Sequence, residues 1–205
     1  MITNFKTIAM QRLADAMPHY QYFTSGATSI EKWPDLSKKF ARLYDTEDSP
    51  STKSRAKVRG FAVTKLIAWL PSEDRPTVHW WLLITKGKGS VWRLEYGIRD
   101  AHQERIEIGG GYQLVHDSRS WTWKYREEHV LGLKESMRRA IVTRRDGDLN
   151  KLIADLYRTV GFRLARKQVG QIMGEGRQKW KLHRRGEPFP ATPARLNYVR
   201  RLANG

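Results

Sequence analysis

The chain has 205 residues and carries 38 Lys and Arg against 21 Asp and Glu, which gives a net charge of +17. Hydrophobic residues make up 40% of the composition and aromatic residues 11%, enough to form a core, so a wholly disordered chain is excluded. The absence of cysteine excludes disulfide bonds, thiolate metal sites and cysteine nucleophiles.

The first 70 residues predict two helices and a loop. Apolar residues recur at helical spacing over residues 5–17 and again over residues 33–44. Residues 45–58 are polar and contain Pro50, which predicts a loop. Residues 61–70 fit either a helix or a strand, and their spacing favours the helix.

The middle of the chain changes to a period of two, which is typical of strands. Short glycine-containing segments separate the apolar runs and predict hairpin turns, the first of them over residues 86–89. The predicted strands are residues 78–85, 91–98, 105–108, 112–116 and 121–125.

The last third returns to helical spacing. A turn over residues 160–162 separates two of the helices, an arrangement that resembles a helix-turn-helix unit followed by a basic wing. The predicted elements are a helix from Glu127, a helix capped by Asp148, a helix over residues 163–173, a strand over residues 177–184 and a short helix from Thr192.

Together these elements predict an α+β fold. Its centre is an antiparallel β-meander of about five strands flanked by helices, and its C-terminal part is a basic, helix-turn-helix-like helical unit. The predicted domains are an N-terminal helical element over residues 1–45, the sheet core over residues 59–145 and a nucleic-acid-binding region over residues 146–205.

The positive charge is concentrated in two blocks. Residues 51–70 carry +5 and residues 136–205 carry +12, whereas residues 1–50 and 71–135 are neutral. A protein that used charge only for solubility would distribute it more evenly. The blocks therefore indicate a polyanionic partner, and nucleic acid is the most common one.

We expect a non-catalytic nucleic-acid-binding protein that contacts the phosphate backbone of DNA or RNA. The neutral sheet would then serve to dock other proteins, as in a subunit of a replication, DNA-transfer or RNA-guided assembly. No cofactor or catalytic residue is predicted. The predicted contact residues are Lys53, Arg55, Lys57, Arg59, Arg163, Arg166, Lys167, Arg177, Lys179, Lys181, Arg184 and Arg185.

Two other functions are consistent with the sequence. Asp100, His102 and Glu104 would share one face of an extended segment, with His116 and Asp117 on the next strand, and such a face could hold a metal ion in a nuclease. Alternatively, an acidic protein partner would account for the charge. Exposed tryptophans could also stack on unpaired bases, although burial between helices is the simpler reading of large aromatic residues.

The sequence also predicts where the protein resides. No apolar run approaches the roughly 20 residues that span a bilayer. The N-terminus lacks the cationic and apolar regions of a secretory signal. We therefore expect a cytoplasmic protein with no membrane partner.

Overall fold

A computed structural model describes residues 2–71 and 77–198, which divide into two compact units. Of the described residues, the first unit comprises those up to Ile106 together with Ser118–Trp121, and the second comprises Glu107–Asp117 and residues 122–198. The described residues form eight strands and seven helices, so the predicted α+β class is confirmed.

The first unit is a five-stranded sheet with helices on both faces. The elements are β1 (Ile2–Thr3), α1 (Lys6–Ala16), β2 (Tyr22–Ser29), α2 (Trp33–Tyr44), α3 (Pro50–Val58), β3 (Thr64–Trp69), β4 (Thr77–Ile84), α4 (Val91–Leu94) and β5 (Arg99–Asp100). The strands lie in the order β1-β3-β4-β2-β5, with β1 parallel to β3 and the other pairs antiparallel. The predicted single antiparallel meander is therefore wrong: the described strands form two sheets, and this one is mixed because α1 carries the chain across the sheet from β1 to β2.

Helices α1 and α2 bury opposite faces of this sheet. Phe40 of α2 packs in one cluster with Leu82 of β4, and its ring lies 5.1 Å from that of Trp80. Alternate residues of a strand point to opposite faces, and on the other face Trp81 and Leu83 are buried where α1 lies against β3. The adjacent tryptophans therefore belong to two cores and form no open stacking platform.

The predicted loop over residues 45–58 holds for residues 45–49 and is wrong for the rest, which forms helix α3. The Ser49 side chain accepts a hydrogen bond from the backbone N–H of Thr52 at 3.2 Å, and Pro50 occupies the first helical position. A hydroxyl cap followed by proline is a typical helix start. The predicted helix over residues 61–70 is also wrong, since β3 occupies it and is buried on both faces, which removes the alternation.

The predicted hairpin and strand over residues 86–98 are wrong as well. The chain after β4 does not turn back on itself. Instead Lys88 accepts a hydrogen bond from the N–H of Ala62 at 2.8 Å and donates one to the carbonyl of Gly60 at 2.9 Å. This pairing directs the following residues into the short helix α4, where Ser90 Oγ donates to the carbonyl of Leu43 at 2.9 Å.

The second unit packs a three-stranded sheet with three helices. The strands lie in the order β6-β7-β8, and the predicted hairpin between β6 and β7 is confirmed, with Ile108 opposite Tyr112. The helix predicted from Glu127 is confirmed too. The elements are β6 (Glu107–Ile108), β7 (Tyr112–His116), β8 (Trp121–Tyr125), α5 (Glu127–Val142), α6 (Asp146–Tyr157) and α7 (Arg163–His183).

Buried polar groups attach α7 to the strands of this unit. Gln168 of α7 accepts a hydrogen bond from the N–H of Tyr125 at 2.7 Å and donates one to its carbonyl at 3.0 Å. The Tyr125 hydroxyl also bonds to Thr159 and accepts a hydrogen bond from Tyr112 at 2.8 Å. Because both backbone groups of one strand residue bond to one side chain, α7 has a fixed register against β8.

Helix α7 is one continuous helix. A helix over residues 163–173 and a strand over residues 177–184 were predicted, so the strand and the wing are wrong. At Gly176 a Cβ would collide with the Met137 sulfur, so glycine there permits close packing on α5, which outweighs its poor helix propensity. The buried residues keep helical spacing throughout: Ala165, Val169, Ile172, Met173, Gly176 and Trp180.

Two smaller predictions at helix ends differ from the structure. Helix α6 has Arg145 at its N-cap, and Asp148 lies within the first turn instead of capping it. The residues from Thr192 to Tyr198 form no helix, and the rest of that predicted element lies outside the described residues. No helix within the described ranges combines the length and apolar character needed to cross a bilayer.

Candidate nucleic-acid interface

A row of cations and glycines follows the outer face of α7. Its members are spaced alternately by four and three residues, which places them on one side of a helix. Every member is exposed or half-buried. At 1.5 Å per residue the row is about 27 Å long. We call it the α7 stripe: Arg163, Lys167, Gly170, Gly174, Arg177 and Lys181.

The two glycines at the centre of the stripe have no packing role within the described residues. A Cβ atom built on Gly170 or Gly174 would have no neighbour within 4 Å. Each glycine destabilises a helix interior by about 1 kcal/mol relative to alanine. They therefore leave a bare stretch of helix backbone, flanked by two cations on each side, that another molecule could approach closely.

The cations of the stripe differ in how strongly the protein holds them. Arg163 forms an ion pair with Asp117. The Arg177 guanidinium lies 5.4 Å from the centre of the Phe189 ring. Lys167 and Lys181 are exposed and have no carboxylate partner among the described residues, so their ammonium groups can reach a ligand without breaking a bond.

The remaining predicted cations of the second unit lie beside the stripe or away from it. Arg166 is half-buried, its guanidinium 3.5 Å from the centre of the Tyr198 ring, and its Nε has no hydrogen-bond partner among the described residues. Lys179 is exposed but lies on the side of α7 that faces the groove beside α5. Arg185 is exposed just after the helix ends.

Arg184, also predicted as a contact, serves the interior of the second unit instead. Its side chain is 4% exposed and donates to both carboxylate oxygens of Asp146, at 2.9 and 3.1 Å, and to Glu187 at 2.8 Å. These hydrogen bonds lower the pKa of Asp146 and of Glu187 and raise the pKa of Arg184. The cluster joins the start of α6 to the end of α7.

Replacing Arg184 with glutamine should therefore lower the melting temperature and leave the affinity for nucleic acid unchanged. The depressed carboxyl pKa values mean that the pairs stabilise the fold at pH above about 4, the ordinary carboxyl pKa. This stabilisation is lost as the pH falls below about 4 and through the lower pKa values of the folded state, so the difference between wild type and R184Q should shrink there. Thermal denaturation from pH 7 to pH 3 measures this, with the exposed neighbour in R185Q as control. Reduced affinity at an unchanged melting temperature would contradict this role.

The predicted contacts near residue 55 lie on helix α3 of the first unit. Lys53 donates a hydrogen bond from Nζ to the carbonyl of Thr46 at 2.7 Å, and the ammonium of Lys57 lies 5.2 Å from the centre of the Tyr20 ring. Arg55 and Arg59 are exposed. The four cations thus lie on two sides of the helix. In an extended loop all four, being alternate residues, would point to one side.

The residues considered for a metal site have local structural roles. Asp100 accepts hydrogen bonds from the N–H of His102 and from the Gln21 amide, each at 2.8 Å, and its carbonyl accepts from the N–H of Glu104 at 2.8 Å. This turn replaces the expected extended face. His116 and Asp117 belong to the second unit. Within the described ranges, no three His, Asp or Glu side chains lie close enough together to hold a metal ion.

The central glycines of the stripe were not among the predicted contact residues. The predicted helix ended at residue 173, so Lys167 lay in a different element from Arg177 and Lys181, and their common face could not be recognised. The alternating spacing of three and four residues was the signal that could have identified this common face.

Comparison of the chain with protein-family models, curated proteins and solved structures finds no match.

Proposed function

We propose that this protein binds nucleic acid without catalysing a reaction on it, and that the α7 stripe is the main contact surface. One observation carries the proposal. Four cations and two glycines with open Cβ positions share one face of a rigidly held helix. The +12 charge of residues 136–205 supports the same reading, because it surrounds this face with positive potential.

The stripe suits a sugar-phosphate backbone. Lys167 and Arg177 are about 15 Å apart along the helix, so cations contact phosphates on either side of the bare glycine segment. Phosphate contacts of this kind fix position without reading sequence, so binding is independent of base sequence. A second copy of the same helix is a poor partner for this face, since it would bring like charges together.

The proposal extends to the context of the protein. Exposed cations on α3, Arg55 and Arg59, supply further phosphate contacts outside the stripe. We place the protein in the cytoplasm as a subunit of a nucleoprotein assembly, such as a replication, DNA-transfer or RNA-guided complex. The neutral segment over residues 71–135 supplies the surface for protein partners in that assembly.

A salt titration tests the proposal. Fluorescence anisotropy with labelled 20-nucleotide DNA and RNA, single-stranded and duplex, gives Kd between 50 and 300 mM NaCl. Each neutralised phosphate adds about 0.7 to 0.9 to the slope of log affinity against log salt, so a slope of at least three is expected for at least one probe. A flat response contradicts the proposal. Displacement by polyglutamate as efficient per charge as by DNA favours the acidic protein partner instead.

The glycines provide a second test. Changing both Gly170 and Gly174 to glutamine should raise the free energy of unfolding by about 0.5 kcal/mol per site, because glutamine is the better helix former. The same change should weaken nucleic-acid binding roughly tenfold, equivalent to one lost charge-assisted contact. The control is Gly132→Gln in α5, another exposed helical glycine with open space. Equal affinity of all three proteins would show that the bare segment is not in the interface.

A further inference from the structure

A cationic groove lies beneath helix α3 in the first unit. Its volume is about 700 Å³. One wall is the inward face of α3. Its residues are three and four positions apart, and an amphipathic helix normally has apolar side chains at such positions. Here that face carries Pro50, Lys53, Ser54 and Lys57, and no residue of α3 is buried. The helix thus covers a groove where a core would be expected.

The opposite wall adds further cations from two other elements of the first unit. Arg12 of α1 and Lys65 of β3 line it. Lys65 lies on the same face of its strand as the buried Ile67, in a position where the sheet is otherwise apolar. Among the described residues that line the groove, Asp48 is the single carboxylate. Four cations therefore face one acid.

Burial of Lys53 disfavours its charge. Burial lowers the pKa of Lys53, and the positive charge of Lys65 lowers it further, whereas Asp48 and Asp45 act in the opposite direction. An anion bound beside the Lys53 ammonium would favour its charged form.

The remaining lining defines the size and chemistry of the anion. Ile67 provides an apolar floor, and Tyr20 and His19 add aromatic and polar edges. A volume of about 700 Å³ lies within the 300–1,000 Å³ range of small-ligand sites. A single inorganic phosphate would leave most of this space empty. The cations can bind a phosphate, and the apolar floor beside them can contact a sugar and a base. Together they match a nucleotide.

We propose that this groove binds a phosphorylated nucleotide, either as a free molecule or as the phosphorylated end of a nucleic-acid strand. Lys53, Lys57 and Lys65 contact the phosphate, and the apolar floor contacts the sugar and base. The site is formed within the first unit and does not depend on binding at the α7 stripe.

Isothermal titration calorimetry with thymidine 5′-monophosphate and with thymidine tests the site, and 5′-phosphorylated and 5′-hydroxyl pentathymidylate separate its two sources. The full chain should bind at least one 5′-phosphorylated probe at least about tenfold more tightly than its 5′-hydroxyl counterpart, because only the terminal phosphate distinguishes the two. In the variant with Lys53→Gln and Lys57→Gln, affinity should fall at least about tenfold, since each lost charged contact contributes that order. Failure of both phosphorylated probes to bind wild type overturns the proposal.

The matched control removes the same charge from a helix that does not line the groove. The Lys38→Gln, Lys39→Gln variant of α2 should bind the phosphorylated probe within about twofold of wild type, because both side chains are exposed and neither lines the groove. Equal loss in both double variants overturns the proposal, as does no loss in either. Variants of the α7 stripe should bind the mononucleotide normally, so failure of the nucleic-acid proposal is distinguishable from failure of this one.

Limited trypsin digestion gives a readout that needs no variant. Helix α3 presents Lys53, Arg55 and Lys57 and buries no side chain, so it should open locally and be cut. A ligand that joins α3 to Arg12 and Lys65 must leave before the helix opens. At ten times Kd, cutting should slow about tenfold. Cutting at an unchanged rate while calorimetry reports binding would place the nucleotide elsewhere and overturn the assignment.

Discussion

Replacing Lys167, Arg177 and Lys181 together with glutamine should reduce nucleic-acid affinity at 0.1 M salt by roughly a hundredfold and lower the salt slope by about three units. The three side chains span most of the α7 stripe, and none forms an ion pair within the described residues. Their loss should leave the fold intact. Salt-dependent anisotropy measures the affinity, and circular dichroism measures stability.

The control for this variant removes the same charge from a helix in a neutral block. Lys38, Lys39 and Arg42 are exposed on α2 and lie together on one side of it. Their triple glutamine variant has the same net charge as the stripe variant, so only the position differs. Its affinity should change less than about threefold, through the overall field alone. Equal effects of the two variants would mean that total charge, and no particular surface, drives binding.

Replacing Trp123 with alanine should lower the free energy of unfolding by about 3 to 5 kcal/mol. Trp123 is fully buried on β8 and is the largest fully buried side chain among the described residues. Removing it leaves a cavity in the core of the second unit as well as lost apolar contact. Urea denaturation followed by circular dichroism measures the loss.

An exposed aromatic residue provides the comparison for Trp123. Tyr96 is 89% exposed, so Tyr96→Ala should change stability by less than about 0.5 kcal/mol. If Trp123→Ala is as mild as Tyr96→Ala, the core assigned to the second unit is wrong. If both are strongly destabilising, the exposure of Tyr96 is wrong.

The elements predicted best from the sequence are the helices that bury one apolar face. Helices α1, α2 and α5 follow the predicted ranges closely, because a one-sided helix leaves a period of 3.6 in the sequence. Strand β2 shows no such signal. At Gly26 a Cβ would lie 2.6 Å from the Trp80 ring, so the position accepts only glycine. A regular strand pattern would have an apolar side chain there. Contacts of this kind are set by a distant strand and cannot be seen locally.

Part of the candidate site was also predictable from the sequence. The charge of residues 136–205 identified the region, and Arg163 and Lys167 were assigned correctly to one helix. Arg184 could not be separated from its exposed neighbours, because its burial depends on Asp146, 38 residues earlier. The groove beneath α3 was hidden as well, since Arg12, Lys53 and Lys65 meet only in the folded unit.

The double hydrogen bond between Gln168 and the backbone of Tyr125 has a consequence for the speed of binding. Because α7 is held in register before any ligand arrives, association needs no ordering of the helix and no rearrangement of its face. The encounter is then governed by diffusion and by the electrostatic field around the second unit. Association should approach the steered range of about 10⁸–10⁹ M⁻¹s⁻¹ at low ionic strength, with salt acting mainly on the rate of capture.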